Sequence, residues 1–242
     1  MNIPVHSRLR MRTVAVGLVV LTAGGCGGTA GGEKPAAGAP SSTAPAVKVL
    51  NGTQLNHLLL PAKAMPKGFT IDPSGTQNSG SDLTPRTDEP VPASKLCGTF
   101  LETAWIRVAG IGQAAFAQNQ YVGPDGNGQI AQEIDSFHGE DAEKAMAQVK
   151  KALANCASFT STSDGATARV KMVSSKLPGV GDEAVKVIQS SPDWQGGETL
   201  VAARTGNVVV TAFYNSVGAD KGSAVVKMTK TIVDGVESRT AS

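Results

Sequence analysis

Apolar residues recur at helical spacing in three stretches, and between these the chain changes to alternating or continuous apolar runs. Cys97, Phe100, Leu101, Ala104, Trp105 and Val108 fall on one face of a helix predicted over residues 93–109. A second helix, over 140–154, aligns Ala142, Ala145, Met146, Val149 and Leu153. Glu140, Asp141 and Glu143 open it and Lys150 and Lys151 close it, so each sign matches the helix dipole. Between them, 115–122 and 129–137 read as strands around Gly123-Pro124-Asp125-Gly126-Asn127-Gly128, which predicts a hairpin. Further strands are expected over 169–174, 183–188, 200–204 and 208–214, the last two joined tightly through Thr205-Gly206-Asn207. A final helix over 219–234 carries Val225, Met228 and Ile232, and a short one over 53–60 combines a capping Thr53 with Leu55, Leu58 and Leu59. This order predicts an α+β domain, an antiparallel sheet with helices packed on it.

The first 47 residues follow a different logic. Arg8, Arg10 and Arg12 precede a short apolar run from Val14 to Leu21, and Ala23-Gly24-Gly25-Cys26 follows. These are the parts of a secretory signal. The run is shorter than the roughly 20 apolar residues of a membrane-spanning helix. Cys26 is similar to the lipid-acceptor cysteine of a bacterial lipobox, although Ala23 stands where leucine is commonest. Residues 1–25 are therefore expected to be a lipoprotein signal peptide. Residues 26–47 are expected to be the lipidated cysteine and a Gly/Ala/Pro linker with no apolar period to bury. Residues 48–242 form one extracytoplasmic domain in this reading, held at the outer face of the membrane by acyl chains, since stable anchoring takes more than one. The alternative is a simple cleaved signal in which Cys26 has no role.

Removing residues 1–25 changes the electrostatics, because all three arginines lost lie there and no acidic residue goes with them. The mature chain keeps 19 basic and 20 acidic side chains, a net charge of −1. The pI near 8.4 belongs to the precursor. Nucleic-acid binding has no basic stripe to rest on. With Cys26 assigned to lipid, Cys97 and Cys156 form the remaining pair. In an oxidising compartment that pair is expected as a disulfide rather than a metal site or nucleophile, the alternative being two buried thiols.

Catalytic signatures are mostly missing. The mature chain has His57 and His138 without a partner at metal-ligand spacing, no H-E-x-x-H, no G-x-S-x-G and no phosphate loop. Asp125 and Asn127 suggest a calcium loop, but Ile130 and Ser136 occupy the positions where an EF-hand needs glycine and a bidentate glutamate. Asp182 and Glu183 read as turn residues opening a strand in preference to paired carboxylates for acid/base work. No metal and no cofactor are expected. Aromatic residues are only 4% of the chain, so Trp194, in the polar loop 190–197, stands out as a recognition candidate, with covering the sheet as its other reading. Trp105 and Tyr214 are weaker ligand-contact candidates, placed by their patterns in the core and in the sheet.

One resemblance adds to this. Residues 58–69, Leu-Leu-Leu-Pro-Ala-Lys-Ala-Met-Pro-Lys-Gly-Phe, the two later cysteines, and 177–184, Leu-Pro-Gly-Val-Gly-Asp-Glu-Ala, resemble actinobacterial sensor-domain lipoproteins related to the PknH-type kinase extracellular domain. The likeness spans about residues 50–236. It implies an α+β domain with a cleft for an extracellular ligand. The chain departs from the kinases in its anchor, in lacking a kinase half, and in having one candidate disulfide where those domains carry two. The combined expectation is a non-enzymatic, lipid-anchored protein that binds a small ligand or an envelope protein. An assembly accessory or a cell-wall hydrolase with dispersed residues are the alternatives. A preformed cavity, an exposed apolar patch, or carboxylates clustered in a cleft would favour the binding, assembly and enzyme readings respectively.

Overall fold

The computed structural model describes residues 48–83, 93–103, 113–163, 165–216 and 222–240. The signal segment, Cys26, the linker and Trp105 lie outside them, as do parts of the predicted helices over 93–109 and 219–234. Nine strands form one antiparallel sheet: β1 Thr70–Ile71, β2 Gln77–Asn78, β3 Ala114–Val122, β4 Gln129–Phe137, β5 Ser158–Ser163, β6 Ala166–Lys176, β7 Glu183–Ser190, β8 Gly197–Thr205 and β9 Val208–Ser216. Their order is β1-β3-β4-β9-β8-β7-β6-β5, with β2 also paired to β3. The helices are α1 Gly52–Asn56, α2 Ala93–Leu96, α3 Asp141–Ala154 and α4 Ser223–Thr240. No helix among the described residues is long and apolar enough to cross a membrane.

The strand order follows from one long crossover. After β4 the chain crosses one face of the sheet as α3, enters the far edge as β5, and meanders back until β9 pairs with β4. Ala142, Ala145, Met146, Val149 and Leu153 of α3 pack on Val170, Val185, Val187, Leu200, Ala202 and Val209. The other face carries α1 and α4, where Leu55, Ile232, Val233 and Val236 meet Ala203, Val208 and Val210. In β8, Leu200 and Ala202 point to the α3 face while Val201 and Ala203 point to the opposite one, so the strand is buried on both sides. Such strands read as unbroken apolar runs, which is how β8 and β9 stand in the sequence. The two-residue connection Gly206-Asn207 closes their hairpin. Gly206 has φ +56°, a conformation that costs glycine nothing, and Asn207 Nδ2 donates to the Phe137 carbonyl oxygen at 2.8 Å.

Four sequence expectations are corrected. Within the described part of the helix predicted over 93–109, residues 93–102 form a single α-helical turn, a 3-10 segment over Cys97–Leu101, and an extended Glu102 with φ −138° and ψ 170°. Thr99 Oγ1 donates to the Leu96 carbonyl oxygen at 2.6 Å, competing with the helical ladder, and Thr103 is drawn to the sheet. The cap of α1 is Asn51 rather than Thr53. Its side chain accepts from Gln54 N while the Gln54 side chain accepts from Asn51 N, a reciprocal capping box. The last helix runs on to Thr240, past Asp234-Gly235, because Val236 beyond them is fully buried in the apolar cluster beneath it. Strands β1, β2 and β5 are additional. All three lie at sheet margins and are dominated by polar or exposed positions, so no apolar alternation marks them.

Candidate functional site

Strand alternation places several polar residues on the α3 face, where apolar ones would be expected. Phe137 of β4 lies in the α3 core, and the period of two puts Asp135 and Glu133 on that same face, both fully buried. Thr211 is the cross-strand partner of Glu133 and is buried with it. Glu198 continues the row of Leu200 and Ala202, and its cross-strand partner Gln189 continues that of Val185 and Val187. Burying a polar group without compensation is costly, so each of these side chains needs a reason.

The segment 93–103 lies over this polar row and runs from one margin of the sheet towards its middle. A disulfide between Cys97 and Cys156, with Cα atoms 5.4 Å apart, ties it beside the start of β5. Phe100 is buried in the α3 core. Gln189 Nε2 donates to the Phe100 carbonyl oxygen at 2.6 Å and to Glu198 Oε1 at 2.7 Å. Thr103 Oγ1 donates to Glu133 Oε2 at 3.1 Å. Gln189 Oε1 and Thr211 Oγ1 are buried with no hydrogen-bond partner among the described residues. Burial pushes the Glu198 carboxyl well above the usual carboxylate range, and the nearby charge of Glu102 pushes it the same way, so its neutral form is favoured. The assembly is therefore rich in acceptors, partly neutral, and closed by one covalent tie, one ring and a few polar contacts.

The candidates named from sequence divide between the two faces of the sheet. Trp194 is half-buried against the α3 core, whereas Tyr214 is half-buried on the opposite face and meets Phe69 edge to face at 5.9 Å. The sheet separates the two rings, so they do not line a common cleft, and Trp105 lies outside the described residues. His57 and His138 are exposed. Among the described residues, no group of three histidine, cysteine or acidic side chains is placed to hold a metal ion.

Asp182 and Glu183 are ion-pair partners where β7 begins and β8 ends. Arg204 Nη1 lies 3.0 Å from Asp182 Oδ2 and Arg204 Nε 2.9 Å from Glu183 Oε1, with Lys150 of α3 also on Glu183. Burial alone would raise the Glu183 carboxyl, but the hydrogen bonds from Lys150 and Arg204 outweigh it and hold the group below its usual range. The buried acids were missed because β4 reads as an alternating strand with Ile130 and Ile134 inward, which assigns Glu133 and Asp135 to water. The helix predicted directly after β4 was the available signal that this second face is covered too.

No family model matches the chain, and no curated protein matches it. Among solved structures, the extracellular domain of PknH from Mycobacterium tuberculosis aligns over 79% of this chain and 99% of its own, with a TM-score of 0.61 and 18% identity. The chain shares the fold of that extracellular domain. A putative uncharacterized protein from Mycobacterium smegmatis, an Rv0999 ortholog, aligns over 72% of this chain and 90% of its own at 13% identity, with a TM-score of 0.33. The fold expected from the sequence resemblance is thus present, with the nine-stranded antiparallel sheet and its helices over the aligned core.

Proposed function

We propose that this protein is a non-enzymatic, lipid-anchored, extracytoplasmic domain that receives a polar ligand, or a segment of an envelope partner, between residues 97–103 and the sheet. The observation that carries the reading is the row Glu133, Thr211, Gln189 and Glu198, buried beneath a cover whose contacts to it are hydrogen bonds. Hydrogen bonds of this kind can be exchanged for those of a ligand at small net cost, as close-packed apolar contacts cannot. Acceptors predominate in the row, so the fitting ligand is rich in hydrogen-bond donors or positively charged. The fold of an extracellular domain, the disulfide, and the signal-like residues before Cys26 agree with a place outside the membrane.

An acid/base enzyme is less well supported by the same side chains. The row holds no histidine, since His57 and His138 are exposed, and acid/base work needs titratable groups set to separate pKa values at a reacting atom. Native mass spectrometry of residues 26–242 carrying Cys26→Ser, secreted by a related host, tests the proposal. A discrete added mass that is lost on mild denaturation, and reduced by Gln189→Ala, is the expected result. Its absence under both conditions would shift the assignment to an assembly accessory. Anchoring is tested separately, since Cys26→Ser should release the protein from the membrane pellet in high salt.

A further inference from the structure

Among the described residues, helices cover only part of the second sheet face: α4 lies along β8 and β9 and α1 against β3 and β4, Ala184 at the start of β7 is buried in the α4 cluster, and β5, β6 and residues 186–190 of β7 are at least partly exposed there. Register defines what it displays. Ser158 and Thr160 of β5 stand opposite Lys171 and Arg169, and Val173 and Ser175 of β6 stand opposite Ile188 and Lys186 of β7. Directly paired residues share a face, so Arg169, Lys171, Lys186, Val173 and Ile188 form one patch. Val173 is 54% exposed and Ile188 36%, the largest apolar exposures of the described sheet apart from Ile71 at its other end. No acidic residue shares this face of β5, β6 and β7, and none of the three cations forms an ion pair among the described residues. A chain of formal net charge +2, or −1 without residues 1–25, thus presents three positive charges with no ion pair among the described residues around two exposed aliphatic side chains.

We propose that this open face of β5, β6 and β7 rests on the anionic surface of the bilayer. Two observations argue for a membrane as the occupant. The uncovered strands present basic and aliphatic side chains together, which complements anionic headgroups with a shallow apolar layer beneath. The chain also reaches the sheet from residue 48 on this same side, since Leu50 N donates to Ser136 Oγ at 3.1 Å and Leu50 packs with the α4 core. Residues 27–47 separate Cys26 from that point, and 21 residues span at most about 70 Å, so an anchor at Cys26 keeps the domain close enough for this face to reach the membrane. Resting there leaves the α3 face, with its covered polar row, turned away from the lipid. The proposal rests on the lipid-anchored reading for its setting, but its test does not.

The test is co-sedimentation of unlipidated residues 26–242, carrying Cys26→Ser, with phosphatidylcholine vesicles with and without phosphatidylglycerol, at low and high salt. A basic residue near an anionic surface is worth roughly fivefold in partitioning, so three give on the order of 100-fold. Binding is expected to require phosphatidylglycerol, to weaken in high salt, and to be lost in Arg169→Glu/Lys171→Glu/Lys186→Glu. Val173→Ser/Ile188→Ser should weaken it while leaving the salt dependence. If the triple variant does not keep the parent's thermal transition, Lys171→Gln/Lys186→Gln carries the same test. Equal sedimentation with both lipids, none with either, or no change in the variants overturns the proposal. So does a dimer in solution that the variants dissociate without any vesicle binding, which would assign the face to a second copy. Release of Cys26→Ser from membranes in high salt is read independently, so failure of the docking face and failure of the anchor are distinguishable.

Discussion

Helix α4 and the segment 93–103 both lie on the sheet, one on each face, and they are held in different ways. α4 buries Val225, Met228, Ile232, Val233 and Val236 in two apolar clusters, with Thr205 Oγ1 donating to Glu237 as a peripheral contact. The opposite segment has a covalent tie at Cys97, the ring of Phe100, and hydrogen bonds to Gln189 and Glu133. The difference contrasts two ways of holding a layer on one sheet, by apolar interdigitation on one face and by a disulfide, one buried ring and polar contacts on the other. Apolar interdigitation makes a layer part of the core, whereas a disulfide keeps a layer near the sheet without filling every space beneath it.

The largest effect on this contrast is expected from removing the tie. Cys97→Ser/Cys156→Ser opens a loop with a sequence separation of 59 residues, and the chain-entropy model puts the loss at about 4 kcal/mol. Denaturant unfolding should give that loss, and a change under 1 kcal/mol would mean that polar contacts alone seat the segment, by the usual worth of a few hydrogen bonds. On the other face, Ile232→Ala should cost about 3 kcal/mol by cavity formation, without altering exchange in residues 93–103. If it loosened that segment as well, the two layers would be one cooperative unit. A smaller loss, about 1 kcal/mol, is expected for Asn51→Ala, which removes the capping box of α1.

The last effect appears as a slope with pH. Glu198 has its carboxyl raised in the folded state, so folding takes up a proton there. Its contribution is present below the unfolded carboxylate range and is lost as pH rises through the folded value. Glu198→Gln should flatten stability against pH above the ordinary carboxylate range. An unchanged slope would place the titration on another group.

These contrasts also explain what the sequence could reveal. β8 and β9 were legible because burial on both faces makes their runs apolar throughout, and α3 because its stripe and terminal charges agree. The pairing of Cys97 with Cys156 followed from compartment and count. β5 was not legible, since Phe159 is the single apolar residue in Ser158–Ser163 and an edge strand needs no inward period. The end of the first long helix was hidden for another reason. It is set by Thr99 turning back on Leu96 and by Thr103 reaching Glu133, a contact 30 residues away in sequence. Glu133, Asp135 and Glu198 look like solvent-facing residues of half-buried strands until the crossover of α3 and the disulfide-tied segment cover them. The site was therefore less legible than the fold, because burial of its acids depends on the packing of distant elements and not on local pattern.

Hydrogen exchange on the unlipidated mature chain with its disulfide intact tests the central claim most directly, that the sheet carries one fixed and one exchangeable layer. Amides of 97–103 are expected to open at a free energy well below that of the α4 amides, and reduction of the disulfide should lower it further while leaving α4 unchanged. Equal protection of both layers, lost together on unfolding, would contradict the account and remove the polar row as a place where a ligand can enter.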